Sequence, residues 1–370
     1  MKDSLKIKPI RPFAIKDIPQ VADMFKRLLL SEGPSRRELT PDALSDYFEQ
    51  VFFRSPWHDE ELPPLVYQES DGRIVGFLGV VSRRMSLRDR PIRMAISFHL
   101  MVESESRSTM AGVQLLRTFF SGPQDLSITD GAGHIGRKVW EGVGGATALL
   151  YSQLWTRILQ PAQYVADMFG RRGILSPAAR AMSPLCYIAD TAARRALPSF
   201  FPEAPTQYSE EELDVETLLN YLPQFSKTWA LQPMYDDRSL RWLLTQADQM
   251  KYFGDFKKVL VRDSRREIVG WFMYYLKPGG TSVVFQFVAR RNATNEILDC
   301  LFNHARRHGS AAITGRLYPR YMHELSEKRC YFHRNGSWVL VHSNNDELLN
   351  IIHRGDAFLT SLEGECCLLF

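Results

Sequence analysis

The segment of residues 97–116 constrains the fold of this chain more than any other part of the sequence. Apolar residues alternate along its first part, which predicts a strand, and recur at helical spacing along its last part, which predicts an amphipathic helix. A short polar turn joins the two. The start of a helix presents backbone N–H groups that lack intrahelical partners, together with the positive end of the helix dipole. The join is therefore a predicted binding site for an anion such as a phosphate.

The elements around this segment follow a definite order over residues 1–159. The order is a strand, two helices, three antiparallel strands, a helix, a strand, a helix and a strand. Thr40 is a predicted helix cap, and Pro41 suits the first position of the helix that follows. The predicted strands cover residues 5–14, 65–69, 74–81, 92–102, 125–129 and 146–159, and the helices cover about 18–30, 41–53, a segment ending near 121, and 135–143.

The same order returns after residue 206, which indicates a duplicated unit. Residues 69–77 align with residues 263–271, and each pair of strands turns at a polar loop and carries glycine on its second strand. Between the two units, residues 160–205 contain six prolines and five arginines and are predicted to form a helical linker. A basic, amphipathic lid or a membrane-surface contact is the alternative for this segment.

The strand, the turn with Arg107 and Gly112, and the order of elements resemble the GNAT superfamily of N-acetyltransferases. The resemblance implies an α/β (α+β) fold with two GNAT-like domains, each a mixed, mostly antiparallel sheet flanked by helices. The implied limits are residues 1–159 for an acyl-CoA-binding domain, 160–205 for the linker and 206–370 for a degenerate second domain.

The resemblance also implies which residues bind the cofactor. GNAT enzymes typically carry Arg or Gln, two residues, Gly, one residue, and then Gly or Ala, and residues 107–112 match this pattern at Arg107 and Gly112. Met110 stands where the middle glycine belongs. The implied acyl-CoA contacts, with acetyl-CoA or another acyl-CoA as donor, are Met101, Val102, Arg107, Ser108, Thr109, Met110, Ala111 and Gly112.

The corresponding join of the second unit, residues 290–296, contains no glycine. A backbone that approaches a pyrophosphate closely needs small residues. The second unit is therefore not expected to bind coenzyme A in the usual way.

Acyl transfer to an amine needs a base and a polarised thioester carbonyl. Alternation places His99 and Glu103 on one face of the predicted strand, together with Ser97 and Met101. His99 and Glu103 are the candidate bases, and the backbone near Met101 and Val102 would hold the carbonyl. In N-myristoyltransferases, which also carry two GNAT units, the C-terminal carboxylate serves as base, and by this analogy Phe370 is a third candidate.

The first functional hypothesis is an N-acyltransferase, with acetyl transfer foremost, that moves an acyl group from acyl-CoA to a primary amine of an unidentified acceptor. A catalytically silent binding protein is the second, because Met110, Gly133 and Trp140 depart from the family pattern. Trp140 stands in place of a tyrosine that returns a proton to the leaving thiolate. A tandem aminoacyl or fatty-acyl transferase is the third.

Composition limits the partners and the compartment. The net charge of +4 is too small to indicate a nucleic-acid partner. The five cysteines show no metal-ligand spacing, so no metal site is predicted and all five are expected to be reduced. With no apolar run of the roughly 18 residues that a membrane span needs, we expect a cytoplasmic protein.

Overall fold

The structure is a computed structural model that describes residues 9–29, 40–103, 109–171, 183–196, 207–334 and 336–368. The strands are β1 Ile10–Pro12, β2 Leu65–Gln68, β3 Ile74–Leu87, β4 Arg90–Val102, β5 Leu126–Ala132, β6 Ala146–Thr147, β7 Leu154–Ile158, β8 Ser209–Glu212, β9 Leu231–Pro233, β10 Asp255–Arg262, β11 Ile268–Leu276, β12 Thr281–Ala289, β13 Ala312–Arg316, β14 Tyr331–His333 and β15 Trp338–His342.

Helices flank the strands along the parts of the chain that the structure describes. They are α1 Ile18–Leu28, α2 Pro41–Phe52, α3 Thr109–Phe120, α4 His134–Gly142, α5 Pro161–Arg171, α6 Ser183–Ala196, α7 Val215–Ser226, α8 Asp237–Gln249, α9 Thr294–Arg307, α10 Met322–Glu327 and α11 Asp346–His353. Thr40 caps α2 as predicted, because its hydroxyl accepts a hydrogen bond from the Ala43 amide at 3.2 Å. Short 3-10 helices cover Ile15–Asp17, Lys251–Phe253, Pro319–Tyr321 and Glu365–Leu368.

The strands form two sheets. The order in the first is β1-β2-β3-β4-β5-β15-β6, with β9 beside β3, and the order in the second is β14-β7-β13-β12-β11-β10-β8. Each sheet contains one parallel pair, β4 with β5 and β12 with β13, among antiparallel neighbours. Two mixed, mostly antiparallel sheets flanked by helices confirm the predicted α/β (α+β) fold class.

The two sheets exchange strands. β15 lies between β5 and β6 in the first sheet, and β7 lies between β13 and β14 in the second. The prediction of a single strand over residues 146–159 is therefore wrong, because this run forms β6, a turn and β7 in different sheets. The Ser152 amide donates to the Ala148 carbonyl at 3.1 Å and closes the turn. The predicted domain limits stay a prediction, and each sheet contains strands from both sides of the linker.

The core has two parts, one on each face of the first sheet. On one face α1 and α2 pack through a group of aromatic rings that includes Phe48, Phe52 and Phe77, and this core continues into the second sheet. On the other face α3 and α4 pack through a smaller cluster that includes Leu116 and Trp140. The first sheet is therefore covered on both faces by helices.

A β-bulge interrupts the pairing of β3 with β4 near the end of β4. The pairing of β3 with β4 shifts between Phe77 and Gly79, opposite Met101 and Phe98, so β4 carries one extra residue there. His99 lies in the bulge with a φ of 52°, in the left-handed region that non-glycine residues rarely adopt. Within the described residues, β4 pairs with β5 from Met94 to Ile96, and the two strands diverge beyond that point.

Among the described residues, no helix combines the length and the apolar character that a membrane crossing requires. The same part of the chain holds no cluster of three or more His, Cys, Asp or Glu side chains suited to a metal ion.

Candidate functional site

A cavity of about 970 Å³ opens where β4 and β5 diverge. Its walls come from β4, the start of α3, β5, α4, β15 and the short helix Glu365–Leu368. Most of the wall is apolar, and a few polar groups converge on it, which is the usual character of a small-molecule site. The cavity therefore lies at the join that the sequence predicted as an anion site.

Of the eleven predicted site residues the structure describes eight, and four of these line the cavity. His99, Val102, Glu103 and Gly112 line the cavity. Met101 and Ala111 are buried, and the side chain of Met110 is 52% exposed. Thr109 is the first residue of α3. Arg107, Ser108 and Phe370 lie outside the described residues.

The predicted sharing of one strand face is wrong for Ser97, which pairs with Val80 on the face that α3 and α4 cover. His99, Met101 and Glu103 do share a face, because all three lie on the side of α1 and α2. Phe98 and Met101 belong to the same core cluster, whereas Leu100 packs against the cluster on the other face. The extra residue of the bulge shifts the alternation, so the side chains beyond His99 change faces. A strand pattern read from sequence assumes an unbroken period of two.

His99 is held by a short hydrogen-bond chain. The Tyr47 hydroxyl donates to the carbonyl of Leu368 at 2.6 Å, and its oxygen lies 2.7 Å from His99 Nε2. Because the one hydroxyl proton goes to the carbonyl, the network assigns the ring proton to Nε2 and the lone pair to Nδ1. Burial lowers the pKa of His99 to about 3, since a charged imidazolium is disfavoured among the neighbouring rings. His99 is therefore neutral near pH 7.

Glu103 is anchored at the rim of the cavity. Its two carboxylate oxygens accept hydrogen bonds from the Arg27 guanidinium of α1 at 2.6 and 3.2 Å. Its side chain is 16% exposed, and the neighbouring carboxylate raises the pKa of Arg27. A bidentate pair of this kind fixes the orientation of both partners. Glu103 thus ties α1 to the end of β4.

Gly112 and Trp140 shape the apolar wall. A Cβ atom at Gly112 would lie 3.4 Å from Val102 Cγ2, so the missing side chain leaves space beside the start of α3. Trp140 is buried, and its indole Nε1 donates to the Val341 carbonyl of β15 at 3.1 Å. Trp140 therefore attaches α4 to the exchanged strand and has no proton to give near neutral pH.

The structure also reveals a buried charged cluster that the sequence reasoning missed. Glu365 lines the cavity, and its backbone N–H donates to Asp130 Oδ1 of β5 at 2.8 Å. The other oxygen of Asp130 pairs with the Arg316 guanidinium of β13 at 2.9 Å. The Thr129 hydroxyl donates to Glu365 Oε2 at 3.3 Å. Two carboxyl groups and one guanidinium are thus removed from solvent together.

Two glycines make room for this cluster. A Cβ atom at Gly131 would overlap the Glu365 carboxyl, and one at Gly364 would overlap the carboxyl of Asp130. Burial and the neighbouring Asp130 raise the pKa of Glu365. The sequence carries one faint signal for the cluster, a Glu-Gly-Glu run between apolar residues in the tail, and no signal for its partners, which are far away along the chain.

A second cavity lies beside the second sheet. It has a volume of about 670 Å³ and lies at the join of β12 and α9, with Arg290, Arg291 and Arg320 in its wall. This join corresponds in element order to the join of β4 and α3, which makes it the natural comparison site for any ligand of the first cavity.

No family model and no curated protein sequence matches the chain. Solved structures do match. A GCN5-related N-acetyltransferase from Anabaena variabilis ATCC 29413 is 10% identical, over 91% of this chain and 73% of that one, with a TM-score of 0.55. One from Kribbella flavida is 14% identical, over 90% and 70%, with a TM-score of 0.53. A conserved protein of unknown function from Enterococcus faecalis V583 is 8% identical, over 90% and 72%, with a TM-score of 0.54.

These likenesses cover about nine-tenths of the chain. At 8–14% identity they concern the backbone arrangement alone. The chain therefore has the fold of the GCN5-related N-acetyltransferases, the GNAT fold.

Proposed function

We propose that this chain is an N-acyltransferase that takes an acyl group from acyl-CoA, with acetyl-CoA the first candidate, and transfers it to a primary amine. The observation that carries the proposal is the cavity of about 970 Å³ between the diverging strands, with the start of α3 at its mouth. A long, thin donor with an anionic end and an apolar arm matches such a site.

The anionic end of the donor would lie at the first turn of α3. The N–H groups of residues 109–112 belong to a helix start, which favours a pyrophosphate. Arg107 and Ser108, just before the helix, stay predicted contacts. Met110, which replaces a glycine of the family pattern, is exposed and is not part of the cavity wall, which supports the proposal.

The apolar arm would lie along Leu100, Val113, Leu116, Val139 and Leu340, all of which line the cavity. The thioester carbonyl would be held by backbone N–H groups near Met101 and Val102, just beyond the bulge, where β4 is no longer paired with β5 within the described residues. Of the three bases predicted from sequence, His99 and Glu103 line the same cavity, and Phe370 lies outside the described residues.

A binding protein without turnover is the second candidate. It is favoured by Trp140, which occupies the place of the family's proton-donating tyrosine and uses its N–H to hold β15. Thiolate is a fair leaving group that water can protonate, so the loss of this acid does not by itself remove activity. The amine-dependent release of free thiol separates the two candidates.

The donor site is tested with two substitutions at Gly112. Gly112→Glu places a carboxylate beside the predicted phosphate position, and we expect acyl-CoA affinity, measured by calorimetry, to fall by about 100-fold through like-charge repulsion. Gly112→Ala is the matched control, because its methyl group meets Val102 at 3.4 Å and carries no charge, so affinity should stay within a few-fold. Unchanged affinity in Gly112→Glu would remove the proposed site.

The same assay examines the second cavity. Arg291→Glu changes a wall of the cavity between β12 and α9 and leaves the first cavity untouched. We expect this variant to bind acyl-CoA as the unmodified chain does. Loss of binding in Arg291→Glu together with normal binding in Gly112→Glu would assign the donor to the second unit.

A further inference from the structure

We propose that Glu365, delivered to the cavity by the last part of the chain, accepts the proton of the attacking amine. This inference rests on the proposed acyl transfer and names a residue for one of its steps. Glu365 lies in the wall of the cavity beside Thr129 and Gly131 of β5, across from the His99 bulge of β4. A thioester carbonyl held by β4 beside the bulge would thus lie between β4 and β5, with β4 on one side of it and Glu365 on the other.

The surroundings of Glu365 are arranged around its carboxyl group. Gly131 leaves the space that Oε1 occupies, and the Thr129 hydroxyl donates to Oε2. Asp130 accepts a hydrogen bond from the Glu365 backbone N–H and forms an ion pair with Arg316 of the other sheet. A carboxyl group that is buried, oriented by its neighbours and still part of a cavity wall is typical of a residue that handles a proton.

The charges facing Glu365 set its protonation state. Asp130 on β5 is a like charge, and Arg316 on β13 is an opposite charge already paired with Asp130. Tyr47 on α2 and Cys366 beside it both have raised pKa values and are neutral near pH 7. Burial and Asp130 together raise the pKa of Glu365 toward neutrality, where a proton acceptor works best.

The two sequence-predicted bases within the described residues suit this step less well. The pKa of His99 is lowered to about 3, so its lone pair has little tendency to take a proton. Both carboxylate oxygens of Glu103 accept hydrogen bonds from Arg27. The pKa of Glu365, in contrast to that of His99, is shifted toward neutrality, which suits a proton acceptor.

Acyl transfer through Glu365 proceeds in two stages. The amine nitrogen forms a bond to the thioester carbonyl carbon, and one N–H proton passes to the Glu365 carboxylate. The C–S bond then breaks, the sulfur leaves as a thiolate, and the proton held by Glu365 passes to that thiolate or to water. The products are an amide and free thiol, and Glu365 returns to its carboxylate form.

The test uses the full chain with acyl-CoA and an amine that gives measurable thiol release. Glu365→Gln keeps the shape of the protonated carboxyl group and cannot accept the proton, so we expect kcat at pH 7 to fall by about 100-fold or more, within the range for a lost general base. Acyl-CoA affinity should change by less than about threefold, and the rise of kcat with pH should disappear. Glu365→Asp should recover part of the activity, because it restores a carboxylate.

Asp130→Asn is the second, independent variant. Removing the neighbouring negative charge lowers the pKa of Glu365, so the inflection of the pH–kcat profile should move to lower pH. Retention of kcat and of the pH profile in Glu365→Gln would overturn the inference, and so would an unmoved inflection in Asp130→Asn. If Glu365→Gln does not fold, as judged by circular dichroism, the Asp130→Asn profile alone decides. An unmodified chain that binds acyl-CoA and releases no thiol with any amine would instead refute the proposed function.

Discussion

A substitution at Leu340 tests whether β15 belongs to the first sheet. Leu340 lies on β15, close to the end of the chain, yet it is fully buried among residues of the first sheet and its helices. It pairs with Thr129 of β5 on one side and Thr147 of β6 on the other. Leu340→Ala should therefore weaken the first sheet, although its position in the sequence is in the second half.

The magnitude follows from the atoms removed. Replacing leucine by alanine removes three buried carbons, each stabilising the folded chain by about 0.8 kcal/mol. Leu340 already borders the large cavity, so its removal enlarges an existing space and creates no new closed one. We expect the free energy of unfolding to fall by about 2–3 kcal/mol, at the lower end of the range for such changes.

The assay combines urea denaturation with hydrogen exchange read by mass spectrometry. Exchange should accelerate in β5 and in α3 and α4, which pack against the same cluster. Val341→Ala is the control, because Val341 is equally buried on the same strand and faces the opposite core. It should lower stability and leave acyl-CoA affinity unchanged, whereas Leu340→Ala should change both. Faster exchange confined to β12 and β13 would refute the strand exchange, as would a loss of stability below about 0.5 kcal/mol.

Gly131→Ala should displace the Glu365 carboxyl group and lower kcat. Gly133→Ala is the control and should behave as the unmodified chain, because the space around its Cβ position is open. Equal thiol release from both variants would contradict the packing at Gly131. Since the pKa of His99 is about 3 in the folded state, against 6.5 ordinarily, the unfolded chain binds an extra proton between these values. This group's contribution to stability therefore falls as pH drops below about 6.5, by up to about 1.4 kcal/mol per pH unit. Urea denaturation at several pH values should show that the free energy of unfolding changes less steeply with pH in His99→Gln than in the unmodified chain. An equal dependence in both chains would show that His99 is not buried as a neutral ring.

Much of the candidate site was predictable because it is local. The end of β4 and the start of α3 lie in one continuous segment, and alternation and helical spacing within that segment predict both elements. His99, Glu103 and Gly112 line the cavity for this reason. The prediction for the strand face was wrong for Ser97 and Phe98, because one extra residue in β4 shifts the side chains after the bulge relative to those before it. No local pattern marks that residue.

The roles of the candidate bases depended on distant partners. Glu103 faces Arg27 of α1, and His99 faces Tyr47 of α2, whose hydroxyl reaches Leu368 near the end of the chain. Such contacts set pKa values through burial and neighbouring charge. A single sequence shows each residue type and leaves open which of them meet.

The α/β class, most of the order of the elements and the place of the join between β4 and α3 could be predicted from the sequence, because periodicity and capping act between residues a few positions apart. Tertiary structure alone decided that β7 and β15 change sheets and that Asp130, Arg316 and Glu365 meet beside the cavity. The physical reason is that strand pairing and buried charge pairing join residues far apart along the chain. Their free energy depends on the shape of the whole fold and leaves no trace in local patterning.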